Sequence, residues 1–268
     1  MLNSVRQLIA RRKPVRRIAR VPDGERWYVV GDVHGRNDLF TALIEGIEDD
    51  DAAAAPATTT VVLLGDLVDR GPDSAGVVRA ARAWAERRSV RFLAGNHEEM
   101  FLDSFDDRET LRHFLRHGGR ETLLSYGLPP EDYQRMRIED VQEAMQALVP
   151  AADRAFLASF EEYIVAGDYA FVHAGIDPAR PLDQQRRSDM LWIRERFLRH
   201  EEPLSHVIVH GHTIFDDVID TQHRIGIDTG AFKTGRLTAL VLEGETRRRI
   251  QAIASDGGAI TIEKGGHS

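Results

Sequence analysis

The sequence predicts an α/β protein built on buried strands. Three observations carry that prediction. Short apolar runs recur and stop at or just before a glycine: Tyr28-Val29-Val30 before Gly31, Val61 to Leu64 before Gly65, and Val90 to Leu93 before Gly95. Stretches with helical spacing or helix-forming composition separate these runs. A polar cluster follows each run directly. Strands that read as near-continuous apolar runs are buried on both faces, which requires helices packed over the sheet.

Taken in order, Arg26 to Val30 reads as the first strand. Leu39, Leu43 and Ile47 recur at helical spacing and predict a helix over 39–47. The Ala- and Thr-rich run from Asp51 to Thr60 reads as a loop, and Val61 to Leu64 as the second strand. Ser74 to Arg87 reads as a helix with Ser74 as a possible cap, and Val90 to Leu93 as the third strand. Residues 98–165 are rich in Glu, Arg, Leu, Met and Ala, with breaks at Gly118-Gly119 and Pro129-Pro130; they read as a helical segment inserted between two halves of a sheet protein. Four further strands are expected at Tyr169 to Val172, Val207 to Val209, Arg224 to Ile227 and Leu237 to Leu242. From Asp256 onward the chain is Gly-rich and reads as a tail.

Composition narrows the chemistry. The chain has 268 residues, 42% hydrophobic and 29% charged, enough to bury a substantial core. No apolar stretch approaches the roughly 20 residues of a membrane helix. There is no cysteine, which excludes disulfides, cysteine zinc sites, iron–sulfur clusters and a thiolate nucleophile. A metal site must then use His, Asp, Glu and Asn, a donor set that favours harder ions.

Charge is unevenly spread. Residues 1–22 hold Arg6, Arg11, Arg12, Lys13, Arg16, Arg17 and Arg20 and no acid, leaving 28 basic against 43 acidic side chains, a net −15, for the remainder. An acidic body argues against broad nucleic-acid binding, except through the basic head. That head lacks the apolar core of a secretory signal. Its Arg-rich, acid-free start also resembles an organelle transit peptide, but we read it as a solvated tail on a cytoplasmic protein.

The polar clusters carry the chemistry. They are Gly31-Asp32-Val33-His34-Gly35, Gly65-Asp66-Leu67-Val68-Asp69-Arg70-Gly71 and Gly95-Asn96-His97-Glu98. A single Asp-x-His is commonly a surface pair or a cap. Three clusters in order, each after a buried strand, converge where α/β sheets bind ligands, at the carboxyl ends of their strands. Two later strands end in His173 and in His210-Gly211-His212. Asp32, His34, Asp66, Asn96, His173 and a histidine at 210 or 212 exceed the needs of one four-coordinate metal. They suit two metals with a shared carboxylate, a clamp for in-line displacement at phosphorus by an acidified water.

As a set, these motifs resemble the calcineurin-like metallophosphoesterases, and among them the phosphoprotein phosphatase branch, with the pattern of the bacteriophage lambda protein phosphatase and bacterial serine/threonine protein phosphatases. The resemblance runs over about residues 26–243 and takes in Gly118-Gly119, Leu191 to Arg196, Gly211-His212-Thr213 and Ile227 to Ala231. It implies a four-layer sandwich of two mixed sheets flanked by helices. It also implies that Asp32, His34 and Asp66 bind one metal, with Asp66 bridging to a second held by Asn96, His173 and His212. His97 is then the general acid, Asp69 its partner, and Arg70 and Arg194 the clamp on the phosphoryl oxygens. Read without the resemblance, the alternative is that Arg194 is only one of several arginines, with Arg196 and Arg199, on a solvated helix face. Broader metallophosphoesterases carry Gly-His-x-His where this chain has Ile214, which leaves the first metal one protein ligand fewer.

The resemblance further implies manganese as the metal, with iron or zinc as alternatives. It implies hydrolysis of phosphomonoesters by a hydroxide held on the metal pair, with phosphorylated protein or a small phosphoester as substrate. The runner-up is a dinucleoside polyphosphate hydrolase, such as one cutting diadenosine tetraphosphate. An RNA-end phosphatase using the basic head and an inactive binding module rank below it. The expected organisation is a basic tail over 1–22, a catalytic domain over 23–255 with a helical insert at about 98–165, and a C-terminal tail over 256–268.

Overall fold

The computed structural model describes residues 18–266. The first half alternates strand and helix: β1 (Glu25–Val30), α1 (Asn37–Ala53), β2 (Thr58–Leu63), α2 (Ser74–Ala85) and β3 (Val90–Phe92). A helical stretch follows: α3 (Asn96–Asp103), α4 (Arg108–Phe114), α5 (Arg120–Ser125), α6 (Pro130–Tyr133), α7 (Ile138–Leu148) and α8 (Ala151–Ala158). A kinked turn, Leu115–Gly119, joins α4 to α5, with Gly118 at φ 108° outside the helical range. The second half holds β4 (Tyr163–Ala166), β5 (Tyr169–Val172), α9 (Arg187–Trp192), α10 (Glu195–Leu198), β6 (Val207–His210), β7 (Ile219–Asp220), β8 (Arg224–Gly226), α11 (Ala231–Thr234), β9 (Arg236–Glu243), β10 (Thr246–Ala254) and β11 (Ile260–Gly266).

The strands form two mixed sheets, in the orders β11-β10-β9-β1-β2-β3 and β4-β5-β6-β8-β7. β1, β2 and β3 run parallel, as do β5, β6 and β8, so the carboxyl ends within each trio gather on one edge of its sheet. Alternation assigns the layers. Trp27 and Val29 of β1 face the second sheet and pack with Phe171, Val209 and Leu240, whereas Tyr28 and Val30 face α1 and its Leu39, Phe40 and Leu43. On β5, Tyr169 and Phe171 point between the sheets, and Ala170 and Val172 point outward to Ile193 and Phe197. Helices therefore cover both outer faces and the architecture is a four-layer α/β sandwich. Each fully buried aromatic or branched side chain contributes on the order of 1.5–3 kcal/mol.

The structure corrects several local expectations. Helix α1 runs on to Ala53 and β2 begins at Thr58, so the loop expected over 51–60 shrinks to four residues. Asp51 is held in place by Arg26 Nη1 at 2.8 Å and Thr59 Oγ1 at 2.9 Å. Asp73, not Ser74, caps α2, accepting from Gly76 N at 2.8 Å. The segment over 98–165 is helical, but its first helix starts at Asn96 and its last residues belong to β4.

Both expected tails are shorter than the sequence suggested. Residues 260–266 form the edge strand β11, paired antiparallel with β10, so the expected tail over 256–268 folds onto the sheet as far as residue 266, and its last two residues lie outside the described residues. At the other end Val21 is fully buried and its N–H donates to Gly244 O, while Arg20 and Asp168 exchange hydrogen bonds. The folded domain thus begins before residue 22. Arg6, Arg11, Arg12, Lys13, Arg16 and Arg17 of the basic head lie outside the described residues.

Candidate metal centre and active site

The site is assembled from strand ends. Gly31-Asp32 follows β1, Gly65-Asp66 follows β2, Asn96 opens α3 just after β3, His173 follows β5, and Gly211-His212 follows β6. The turns are tight. Among the described residues, five non-glycine positions have positive φ: His34, Asp66, Asp69, Arg70 and His212. All five belong to the predicted site. Such conformations cost on the order of 1–3 kcal/mol each and persist only where the surroundings impose them. Two glycines make the approach possible: a Cβ on Gly95 would fall 2.2 Å from Asp66 Oδ1, and one on Gly211 2.0 Å from Asp32 Oδ1.

Two clusters of potential ligand atoms share one residue. His34, Asp66 and His97 form the first, and Asp66, His173 and His212 the second, the ligand atoms of each lying within 4.8 Å of one another. Asp66 Oδ2 is 3.5 Å from His34 Nε2, and its Oδ1 is 3.5 Å from His173 Nε2. Asn96 Oδ1 sits 2.9 Å from His173 Nε2 and 2.7 Å from His212 Nδ1. Asp32 is buried beside them and accepts the His212 backbone N–H on both oxygens, at 3.0 and 3.2 Å.

The donor chemistry fits divalent cations. His173 Nδ1 donates to Leu64 O at 2.8 Å and His34 Nδ1 to Val68 O at 2.9 Å, which leaves each Nε2 with a bare lone pair. Backbone carbonyls commonly fix ligand histidines in this tautomer. The His173 lone pair then faces the acceptor oxygens of Asn96 and Asp66 with no proton to share. His212 Nε2 is buried and has no hydrogen-bond partner. Converging acceptors of this kind are costly unless a cation joins them.

Burial sets the protonation of these groups. It pulls His34 well below the ordinary histidine range, lowers His173, and takes His212 down to about 2, so all three are neutral. Burial pushes Asp66 up, and its histidine neighbours pull it down to the extent that they carry charge. Asp32 is raised by burial and by Asp228 and Asp66, a strain that a bound cation relieves.

Beside this centre lies a histidine–carboxylate pair. His97 Nδ1 is 2.6 Å from Asp69 Oδ2, and both groups are buried. Burial pulls His97 down, yet Asp66 and Asp69 outweigh it and raise the imidazole above its usual range. Arg70 reaches both imidazoles, its Nη2 lying 2.9 Å from His97 Nε2 and its Nη1 2.7 Å from His34 Nε2. Arg194 does not touch this cluster; it lines the open cleft above, of about 620 Å³, together with Arg70 and His212. The structure therefore gathers Asp32, His34, Asp66, Asp69, Arg70, Asn96, His97, His173 and His212 closely and places Arg194 on the rim. His210, the alternative to His212, points instead toward Phe197 and Phe215 and bonds Gly211 O.

The sequence reading gave three supporting residues no role. Glu98 is buried, and its carboxylate accepts the N–H groups of Asp66, Leu67, Val68 and Gly95, so it shapes the turn that carries Asp66. Burial and Asp66 push it up to about 7. Thr122 Oγ1 donates to Asp69 Oδ1 at 2.6 Å, fixing the carboxylate that orients His97. Phe232 packs its ring against Arg70 at 4.8 Å and against His34 at 5.3 Å. The motif Gly-Asn-His-Glu exposed Glu98; nothing local marked the other two.

Fold and site together define the class of a metal-dependent hydrolase, with candidate ligands at strand ends of both sheets. The chain belongs to the calcineurin-like phosphoesterase family, whose model matches residues 26–229. It is a hydrolase acting on phosphoesters, in a family that works with a dinuclear metal centre. It is 26% identical over 236 residues to a bis(5'-nucleosyl)-tetraphosphatase PrpE [asymmetrical] of Geobacillus thermodenitrificans, covering 79% of this chain and 88% of that protein. It is 28% identical over 218 residues to serine/threonine-protein phosphatase 1 of Salmonella typhimurium, covering 79% and 89%. In fold it is similar to a cold-active protein-tyrosine phosphatase of Shewanella, with a TM-score of 0.55, 21% identity and coverage of 92% and 83%.

Proposed function

We propose that the chain is a phosphomonoesterase that releases phosphate from phosphoserine and phosphothreonine in proteins. The observation that carries the catalytic part is the buried Asp69–His97 pair set against Asp66 at the foot of an arginine-lined cleft. Asp32, His34 and Asp66 would hold one divalent cation, and Asp66, Asn96, His173 and His212 a second. Bound there, the pair supplies Lewis acidity, acidifying a water and neutralising phosphoryl charge. Asp69 holds His97 in one tautomer and favours its cationic form, so that a proton stands ready at Nε2 for the departing alkoxide. Arg70 and Arg194 would grip phosphoryl oxygens, which a planar guanidinium does bidentately. Phe232, stacked on Arg70, limits where that guanidinium swings.

Manganese as the metal and the cytoplasm as the compartment belong to the same proposal. A donor set of carboxylate, amide and imidazole supports a hard or borderline ion. No helix among the described residues is long and apolar enough to cross a membrane. Ile214, where broader relatives carry a further histidine, supports the phosphoprotein branch. A dinucleoside tetraphosphatase is the second reading, favoured by the extra basic residues on the cleft rim, Arg116 and His117. Phosphate release from phosphoserine and phosphothreonine peptides, run beside cleavage of diadenosine tetraphosphate with manganese present, tests the choice. Faster turnover of the peptides is expected; nucleotide cleavage alone would overturn the phosphoprotein reading.

A further inference from the structure

Outside the metal centre, two histidines meet on one helical face. His113 lies in the last turn of α4, and His117 follows four residues later, in the link before the kink at Gly118. Positions four apart on a helix are neighbours on its surface. The two imidazoles stand with their centroids 4.0 Å apart and their planes at 42°. His117 is exposed and lines the cleft, and His113 is half-buried beside it.

The hydrogen bonding prepares both rings as ligands. His117 Nδ1 donates to His113 O at 2.8 Å, which leaves Nε2 of the neutral ring with a bare lone pair. Ligand histidines are commonly held this way, with the second nitrogen spent on a backbone carbonyl. Burial lowers His113 below the ordinary histidine range, and His117, Arg116 and His97 push in the same direction, so its ring is uncharged at neutral pH. Among the described residues, the histidines within ion-pair distance of a carboxylate are His34, His97 and His173, not these two. No carboxylate draws a cation here, and Arg116 opposes one. Binding must then come from the imidazole bonds themselves, which borderline transition ions form strongly and manganese or magnesium form weakly.

We propose that His113 and His117 form an accessory chelate site for a divalent ion of the zinc, nickel and copper class, at the rim of the cleft and separate from the candidate dinuclear centre. Two histidines four apart on one helix face are the arrangement that helical zinc motifs use. Two protein ligands leave the remaining positions to water or to a ligand in the cleft. An ion held by both rings also ties α4 to the link whose Gly118 O accepts the Arg70 N–H at 3.1 Å, and so braces the segment that meets Arg70.

Equilibrium dialysis of the manganese-loaded full chain against labelled zinc, with free manganese in excess, tests the site, and elemental analysis reads the manganese retained. The native protein is expected to take up one zinc while keeping its manganese. His113→Ala and His117→Ala should each weaken that uptake by about a hundredfold, because a single imidazole cannot chelate. Unfolding midpoints are measured alongside. His117 is exposed, so His117→Ala keeps its midpoint and decides the case if His113→Ala lowers its own. No zinc uptake by the native protein overturns the site. Uptake that both variants retain also overturns it, since that zinc has gone elsewhere; manganese lost in step would place it in the dinuclear centre. The difference between native protein and variant is read without turnover, so failure of the proposed hydrolysis would leave it standing.

Discussion

Strand β1 has a buried polar cluster at each end, built on opposite principles. At its start Arg26 is 1% exposed, and its guanidinium meets Glu243 at 2.9 Å, Asp51 at 2.8 Å and Ala55 O at 2.7 Å. One step along, Tyr28 donates to Asp50, which Arg248 grips with both nitrogens. Charges there are matched and donors are spent on acceptors. At the other end of the strand, Asp32 and Asp66 meet neutral imidazoles and an amide oxygen, and acceptors face acceptors. Buried polarity is common to both ends, so it does not mark function. Unmatched lone pairs on a strained backbone do.

That contrast can be broken at either end. The largest effect is expected from Asp66→Asn, which removes the group common to both ligand clusters. Turnover should fall by about three orders of magnitude or more, with loss of metal measured by elemental analysis. Retention of most activity would remove Asp66 from the shared position. His97→Asn should leave metal content intact and slow alkyl phosphates by about a hundredfold. Aryl phosphates, whose leaving groups need little protonation, should slow less; equal slowing would count against His97 as the acid.

At the structural end, Arg26→Met should cost about 2–3 kcal/mol in urea unfolding. That lies below the usual figure for a broken buried pair, because Glu243 and Asp51 are partly exposed and regain water. The folded fraction should keep its kcat, and a kcat that falls with stability would blur the distinction drawn here. The smallest effect is expected from Asp69→Asn. A carboxylate raises the pKa of its histidine partner, so removing it lowers that of His97. The acid form is then lost at lower pH, and the alkaline limb of the kcat profile moves down by about one unit. A limb that stays in place would separate Asp69 from His97 titration.

The two ends also differ in how readable they were. The site was legible because most of the candidate ligands follow a short apolar run stopped by glycine, a pattern that packing alone does not produce; His173 follows its strand directly. The strands at the far edge were hidden. β10 opens with Arg247, Arg248 and Arg249, which look like a solvated run but each pair across the fold, with Asp220, Asp50 and Asp217. β11 is largely exposed and hides in a Gly-rich stretch. Thr122 reaches Asp69 from 53 residues away and Phe232 reaches Arg70 across the cleft, so neither contact leaves a local trace. The kink at Gly118 was visible only as a Gly-Gly break, because its role depends on a carbonyl meeting the backbone of Arg70.

We propose that this edge of the molecule holds a pair of cations between shared and separate ligands. Metal stoichiometry on the full chain tests it most directly: titration with manganese should give two ions per chain in the native protein and a clear loss of both in Asp66→Asn. A single ion in the native protein, or two ions retained without the Asp66 carboxylate, would contradict it.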